Sequence, residues 1–187
     1  MKSLRNVGGL LLVGCLALSF ASCSKDDDKT PAPLKVEDVN GSYTGKLITE
    51  QNKVKSENTI AFTADKNVIT IADLPVKEIV TSIVKDAKKV ETVLKDLGKV
   101  KYSLDYTAAL SATKTSVSLT FAPKALEIQL PVDGAKKKVV VTFAAKAAGT
   151  YANDKTLKFV LTAEKVMVDD VVLTPYDVVT YDASVKK

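Results

Sequence analysis

From Gly98 onward the chain alternates. Tyr102, Leu104, Tyr106 and Ala108 take turns with Lys101, Ser103, Asp105 and Thr107. Val117, Leu119 and Phe121 do so with Ser116, Ser118 and Thr120, and Leu126, Ile128 and Leu130 with Glu127 and Gln129. Val139, Val141 and Phe143 follow Lys136-Lys137-Lys138, and Leu157, Phe159 and Leu161 alternate with Lys158 and Thr162. A period of two sends every apolar side chain to one face, which is the pattern of half-buried antiparallel strands. Asp133-Gly134 and Asn153-Asp154 mark turns between them. Residues 166–174 and 176–181 supply two last strands, divided by Pro175, which suits an edge or a corner.

The first half of the folded region is mixed. Asn40-Gly41-Ser42-Tyr43-Thr44-Gly45-Lys46-Leu47 reads as a turn running into a strand, with Tyr43, Gly45 and Leu47 on one face. Gly45 permits a bend or a close backbone approach. Strands are expected at residues 58–64 and 67–72, separated by Asp65-Lys66-Asn67. One long amphipathic helix is then expected over about residues 76–97. Val76, Ile79, Val80, Ile83, Val84, Ala87, Val90, Leu94 and Leu97 keep the three-to-four spacing of one helical face. Pro75 fits its first turn, Asp73 its cap and Gly98 its stop. Lys77, Glu78, Lys85, Asp86, Lys88, Lys89, Glu91 and Lys95 are assigned to the solvated face, with Glu91 and Lys95 as an i,i+4 pair. The expected fold is mainly β (α+β): an antiparallel barrel or sandwich of about eight to ten strands with that single helix. With no Trp, six Tyr and five Phe, the interior is expected to be filled by Val, Ile, Leu and Ala.

The beginning of the chain has a different character. Lys2 and Arg5 form a basic head, and residues 7–20 are an apolar run of about 14 residues, short of the roughly 20 that span a bilayer. Basic head, short apolar core and small residues before a cut site make a secretory signal. Phe20-Ala21-Ser22-Cys23 resembles the lipobox of bacterial lipoproteins, although Leu is usual where Phe20 stands. The resemblance implies cleavage after residue 22 and acylation of Cys23. The next residues, Ser24-Lys25-Asp26-Asp27-Asp28, resemble the acidic export signal of Bacteroides-type lipoproteins, which implies transfer to the exterior face of the outer membrane. Residues 29–37, with Pro31 and Pro33, read as a stiff tether. The expected organisation is a signal over residues 1–22, a lipidated Cys and flexible tether over 23–37, and one β-rich domain over 38–187. Within that domain the Gly41-x-Tyr43-x-Gly45 pattern resembles the first strand of small lipocalin-like domains. Taken whole, the chain resembles uncharacterised lipid-anchored proteins of Bacteroides-type bacteria with a lipocalin-like β-domain. That resemblance implies outer-membrane placement and no known activity.

Much chemistry is excluded by residue type. The chain has no His, and its two cysteines are Cys15, inside the apolar run, and Cys23. Common nucleophilic triads and structural zinc sites need those residues. Asp26-Asp27-Asp28 and Asp169-Asp170 lack the spacing of a calcium loop, and the eight glycines are too scattered for a phosphate loop. The sole arginine is Arg5, and without Lys2 and Arg5 the net charge falls from +5 to +3. Arg is the main reader of bases and phosphates, so no nucleic-acid role is expected. No cofactor and no catalysis are expected. The residual enzymatic reading is a carboxylate-based hydrolase using acids such as Asp105 and Glu127.

Two functions from different classes stay open. One is a surface binding or interaction module for a protein or glycan, with Tyr102, Tyr106, Tyr151, Tyr176 and Tyr181 as candidate sugar platforms, although Tyr102 and Tyr106 share the inward face with Leu104 and are expected to pack in the core with their hydroxyls near its rim. The other is a lipocalin-like carrier of a small hydrophobic ligand. A carrier needs a cavity of several hundred Å3, whereas a module has a filled core. Small inward residues Gly45, Ala108 and Ala145 leave room for a cavity or for a closely packed helix.

Overall fold

The computed structural model describes residues 32–187. Its strands are β1 (Gly41–Gln51), β2 (Val54–Asp65), β3 (Val68–Ile71), β4 (Tyr102–Leu110), β5 (Ser116–Pro123), β6 (Leu126–Val132), β7 (Ala135–Ala144), β8 (Gly149–Ala152), β9 (Thr156–Val168), β10 (Val171–Val172) and β11 (Val179–Lys186). Every pairing is antiparallel. The order β1-β2-β3-β4-β5-β8-β9-β11 returns to β1, because β11 pairs with β9 on one edge and β1 on the other. Eight strands therefore close a barrel, and closure leaves no open edge along that circuit. The β6–β7 hairpin joins it through β7 on β9, and β10 is a short return on the end of β9. The strand expected at residues 166–174 is thus divided: Val166 to Val168 finish β9, and β10 takes two residues. The last strand starts at Val179 rather than Tyr176.

Four hairpins turn on two residues, both with positive φ: Asn52-Lys53, Lys66-Asn67, Asp133-Gly134 and Asp169-Asp170. This backbone matches the right-handed twist of the flanking strands. Only one of the four carries Gly. Asn and Asp tolerate the left-handed region better than other non-glycine residues, and the Asp169 carboxylate also accepts a 3.0 Å hydrogen bond from the Lys138 N–H of the neighbouring strand β7.

Val, Ile, Leu and Ala make up most of the interior, as expected, and the rings gather among them. Nine of the ten aromatic rings after residue 22 touch another ring. Tyr43 stacks on Phe62 at 5.3 Å, Phe62 meets Phe159 at 5.7 Å, and Phe159 meets Phe121 at 5.4 Å. Tyr102, Phe143 and Tyr181 form a second group. The most deeply buried positions include Leu47, Leu104, Leu119, Leu157 and Leu161 beside Tyr43 and Tyr181. Two glycines make room. A Cβ on Gly45 would stand 2.6 Å from Val185 Cα, and one on Gly149 would stand 2.7 Å from the Phe121 ring. The expected close approach at Gly45 is therefore its contact with β11 at the barrel closure.

The barrel has two distinct ends. At its base a single 3-10 turn, Val36–Val39, puts Val39 wholly inside, where its carbonyl accepts a 2.6 Å hydrogen bond from the Tyr43 hydroxyl. At the other end the connection from β3 to β4 is helical. The single helix expected over residues 76–97 is two: α1 (Lys77–Val84) and α2 (Ala87–Leu97). Lys85 takes a left-handed conformation (φ 59°) that ends α1, and the Asp86 carboxylate caps α2 by accepting from the Lys88 N–H at 3.0 Å. Asp73 caps nothing; Val76 holds that position. The break changes which face is inward. Ile79 and Val80 are buried on α1, Val90 and Val93 on α2, while Ala87 is exposed and Ile83 only partly covered. Glu91 bonds to Lys77 at 2.8 Å, tying the helices together, instead of pairing with Lys95. Helix α2 packs on β6.

Candidate functional site

Along β1 the inward positions run Tyr43, Gly45, Leu47, Thr49, Gln51, so the wall turns from apolar to polar as it reaches the helices. Thr49 is only 1% exposed. Its register partners are Ser56 on β2 and Tyr181 on β11, both on the inward face. These three hydroxyl-bearing residues form one row at the helix end. Glu78 of α1 comes down onto that row, and its Oε1 accepts a 2.8 Å hydrogen bond from the Ser56 hydroxyl. The solvated face assigned to Glu78 is therefore wrong. The residue sits half-buried one position before Ile79, and the end of the α1 buried stripe carries it inward.

Around this centre the groups interlock. The Gln51 amide donates to Ser82 Oγ at 3.0 Å and to the Asp177 carbonyl at 2.6 Å. Asn52 donates to the Asp177 carboxylate at 2.6 Å. The Ser82 hydroxyl donates to the Glu78 carbonyl at 2.9 Å. Three oxygens at the centre are buried without a hydrogen-bond partner: Thr49 Oγ1, Glu78 Oε2 and Tyr181 Oη. Burial pushes the Tyr181 hydroxyl well above its ordinary range, and the neighbouring Glu78 carboxylate and Tyr176 add to it. Tyr176, whose hydroxyl donates to the Ala163 carbonyl at 3.1 Å, is pushed up to about 12 by burial, with a backbone hydrogen bond at Val179 opposing.

The row opens outward. A cleft of about 310 Å3 between α1 and the β1–β2 wall is lined by Gln51, Ser56, Asn58, Pro75, Glu78 and Thr81, with Lys77 at its rim. A second, of about 220 Å3, shares Gln51, Ser56 and Glu78 with it. Other clefts are plainer. The one between α2 and the β6–β7 turn is bridged by the Lys89–Asp133 ion pair at 2.6 Å. A groove of about 450 Å3 lies on outward-facing residues of β8, β9 and β11. One of about 390 Å3 sits at the base beside Leu34, Tyr151 and Lys187.

The residues singled out from sequence fall elsewhere. Cys23, Ser24, Lys25, Asp26, Asp27 and Asp28 lie outside the described residues. Tyr102, Tyr106, Tyr151 and Tyr181 are buried and Tyr176 is half-buried, so they form no open platform. Asp105 bonds to Lys124 at 2.6 Å on the outside of the barrel, and Glu127 stands on β6, which is not a neighbour of β4. Among the described residues no three Cys, Asp or Glu side chains converge as a metal site would require. The signal that was legible for the real cluster is Thr49, a hydroxyl on an otherwise apolar face. Its partners are set by pairing over long sequence distances.

A profile for a domain of unknown function, DUF4840, matches residues 38–168, more than half of the chain. The chain belongs to this family. The DUF4840 match covers β1 to β9 and stops before β11, the strand that closes the barrel. No curated protein and no solved structure matches the chain.

Proposed function

We propose that this DUF4840 protein is a lipid-anchored, non-catalytic binding module, displayed on the exterior of an outer membrane, whose lipocalin-like barrel offers its helix end to a protein or glycan partner. The observation that carries this is a full barrel. Aliphatic side chains and two groups of contacting rings fill the interior, where a carrier would hold its apolar ligand. The polar cleft is on the rim instead, between α1 and β1–β2. Support for the placement comes from the sequence: the basic head, the short apolar run, Cys23 after small residues, and Asp26-Asp27-Asp28. Two acyl chains on Cys23 hold a protein at a bilayer where one alone is marginal. The described chain enters β1 at the base of the barrel, where the Leu34 N–H donates to the Lys114 carbonyl at 3.0 Å, and the helices stand at the opposite end. With the tyrosines packed inside, a glycan partner would meet the amides and hydroxyls of Gln51, Asn58 and Thr81.

Native mass spectrometry of the protein from its own cells tests the whole reading. The expected species begins at an acylated Cys23 and carries no small molecule. A bound apolar molecule would overturn the module in favour of the carrier, and an unacylated chain beginning at Met1 would remove the anchor. Two variants separate the parts of the placement. Cys23→Ala is expected in the soluble fraction. Replacing Asp26, Asp27 and Asp28 by Ala is expected to leave the protein membrane-bound but shielded from protease on intact cells.

A further inference from the structure

We propose that the helix-end cleft seats a primary ammonium group, held by Glu78 Oε2 with the hydroxyls of Thr49 and Tyr181. This deepens the assignment of that end as the binding face and rests on it. A buried carboxylate oxygen is costly without a hydrogen-bond donor, and its charge is costly without a cation. Ser56 satisfies Oε1 but supplies no charge, and Oε2 has no partner. The lysines within the surrounding elements are engaged elsewhere. Lys77 of α1 holds Glu91 at 2.8 Å, Lys46 of β1 holds Glu57 at 2.6 Å, and Lys55 of β2 holds Glu50 at 3.3 Å. Among the described residues no lysine forms an ion pair with Glu78, although Lys77 at the cleft rim lies near enough to feel its charge, so a cation brought by a ligand has a place to bind.

The donor count specifies which cation. An ammonium carries three N–H donors and no acceptor. The centre presents three buried, unpartnered oxygens, one of them a carboxyl oxygen. The raised Tyr181 hydroxyl stays neutral at physiological pH, so it adds a lone pair rather than a second negative charge. Water would satisfy the oxygens but leave the charge uncompensated. A quaternary ammonium has the charge but no donor. Thr49 and Tyr181 share the row of Ser56 but do not themselves line the cleft, which favours a slim head on a narrow stem. The 310 Å3 cleft, with Pro75 and Thr81 on one side and Asn58 on the other, accommodates such a stem. The ammonium belongs either to a free aliphatic amine or to a lysine side chain of a partner protein.

Calorimetric titration of the purified full-length protein in detergent, at constant ionic strength, tests this. The probes are n-butylammonium, Nα-acetyl-lysine methylamide and tetramethylammonium, each as the chloride. Saturable heat with a primary amine and none with tetramethylammonium is expected. Binding of butylammonium alone identifies a free amine as the source, and binding of the lysine derivative alone identifies a protein side chain. Glu78→Gln should weaken binding by about tenfold or more, as expected for loss of a charged hydrogen bond. Tyr181→Phe, which removes one hydroxyl and keeps the ring packed on Phe143, should weaken it while the protein still melts cooperatively. No saturable heat with either primary amine, an equal response to tetramethylammonium, or unchanged binding in both variants overturns the inference. The module reading stands or falls on the bound apolar mass, whereas this inference stands or falls on the titration.

Discussion

Replacing Gly45 by Ala puts one methyl group at the seam where β1 closes the barrel against β11. The new Cβ would stand 2.6 Å from the Ser184 carbonyl oxygen and 2.6 Å from Val185 Cα, and 3.2 Å from Val185 Cβ. Two of these are backbone atoms in a paired strand, so no side chain can rotate away. Relief requires β1 and β11 to separate locally, which lengthens the ladder bonds around the Gly45–Val185 pair. Overpacking of this kind costs about 1–3 kcal/mol, and a backbone obstruction belongs in the upper half of that range. Alanine recovers about 0.5–1 kcal/mol through its lower backbone entropy loss. The net destabilisation is therefore about 1–2 kcal/mol. For a domain of this size that lowers the melting temperature by roughly 2–8 °C. Thermal unfolding followed by circular dichroism measures it, with urea titration as a check that the slope is unchanged. A variant that melts at or above the wild-type temperature refutes the reasoning, because the seam would then have slack that the geometry denies.

Other expectations concern the helix pair and the tyrosines. Ile79→Ala should cost about 2–5 kcal/mol in chemical denaturation, since Ile79 is fully buried. Ile83→Ala, on the same sequence stripe but only partly covered, should cost about 1 kcal/mol; equal costs would restore a single continuous helical face. Lys85→Gly should stabilise by about 1 kcal/mol by relieving the left-handed conformation, and a loss of stability would mean that the helix runs through. Burial pushes Tyr102 and Tyr176 up to about 12, while their ordinary value is near 10. The unfolded chain then loses these protons first, so their contribution to stability is whole below about pH 10 and drains away as pH rises to about 12. Near-ultraviolet absorbance against pH should show these phenols ionising late and together with unfolding; ionisation near pH 10 with the fold intact would contradict it.

The alternation after Gly98 was a local matter, and that is why it was legible. Whether Leu104 or Asp105 faces inward depends on side-chain polarity and a fixed backbone period. The same holds for Gly98 as a helix stop and for Asp133-Gly134 as a turn. The single helix over residues 76–97 went wrong because the apolar spacing survives the break: Ala87 sits where a continuous stripe would put it. A left-handed Lys85 and a capping Asp86 outweigh that spacing, since two shorter helices let Glu91 reach Lys77 and let α2 lie on β6. Counting rings gave no hint that they would gather, because a ring count carries no position. The site residues were hidden for a related reason. Glu78 looks like any acid on a lysine-rich helix until α1 is laid over the barrel end.

By itself the sequence determined the strand character of this chain, its turns, its bias against His- and Cys-based chemistry, and the anchor-like pattern ending at Cys23 and its acidic neighbours. Each of these is a property of residues a few positions apart. Tertiary structure alone decided that β11 returns between β9 and β1, that the rings gather in two groups, and that Thr49, Ser56, Glu78 and Tyr181 share one end. Thr49 and Tyr181 are far apart in the chain and become partners only through the closing strand pairing. Contacts of that range have no local signature, because the free energy that selects them is the burial of the whole barrel interior.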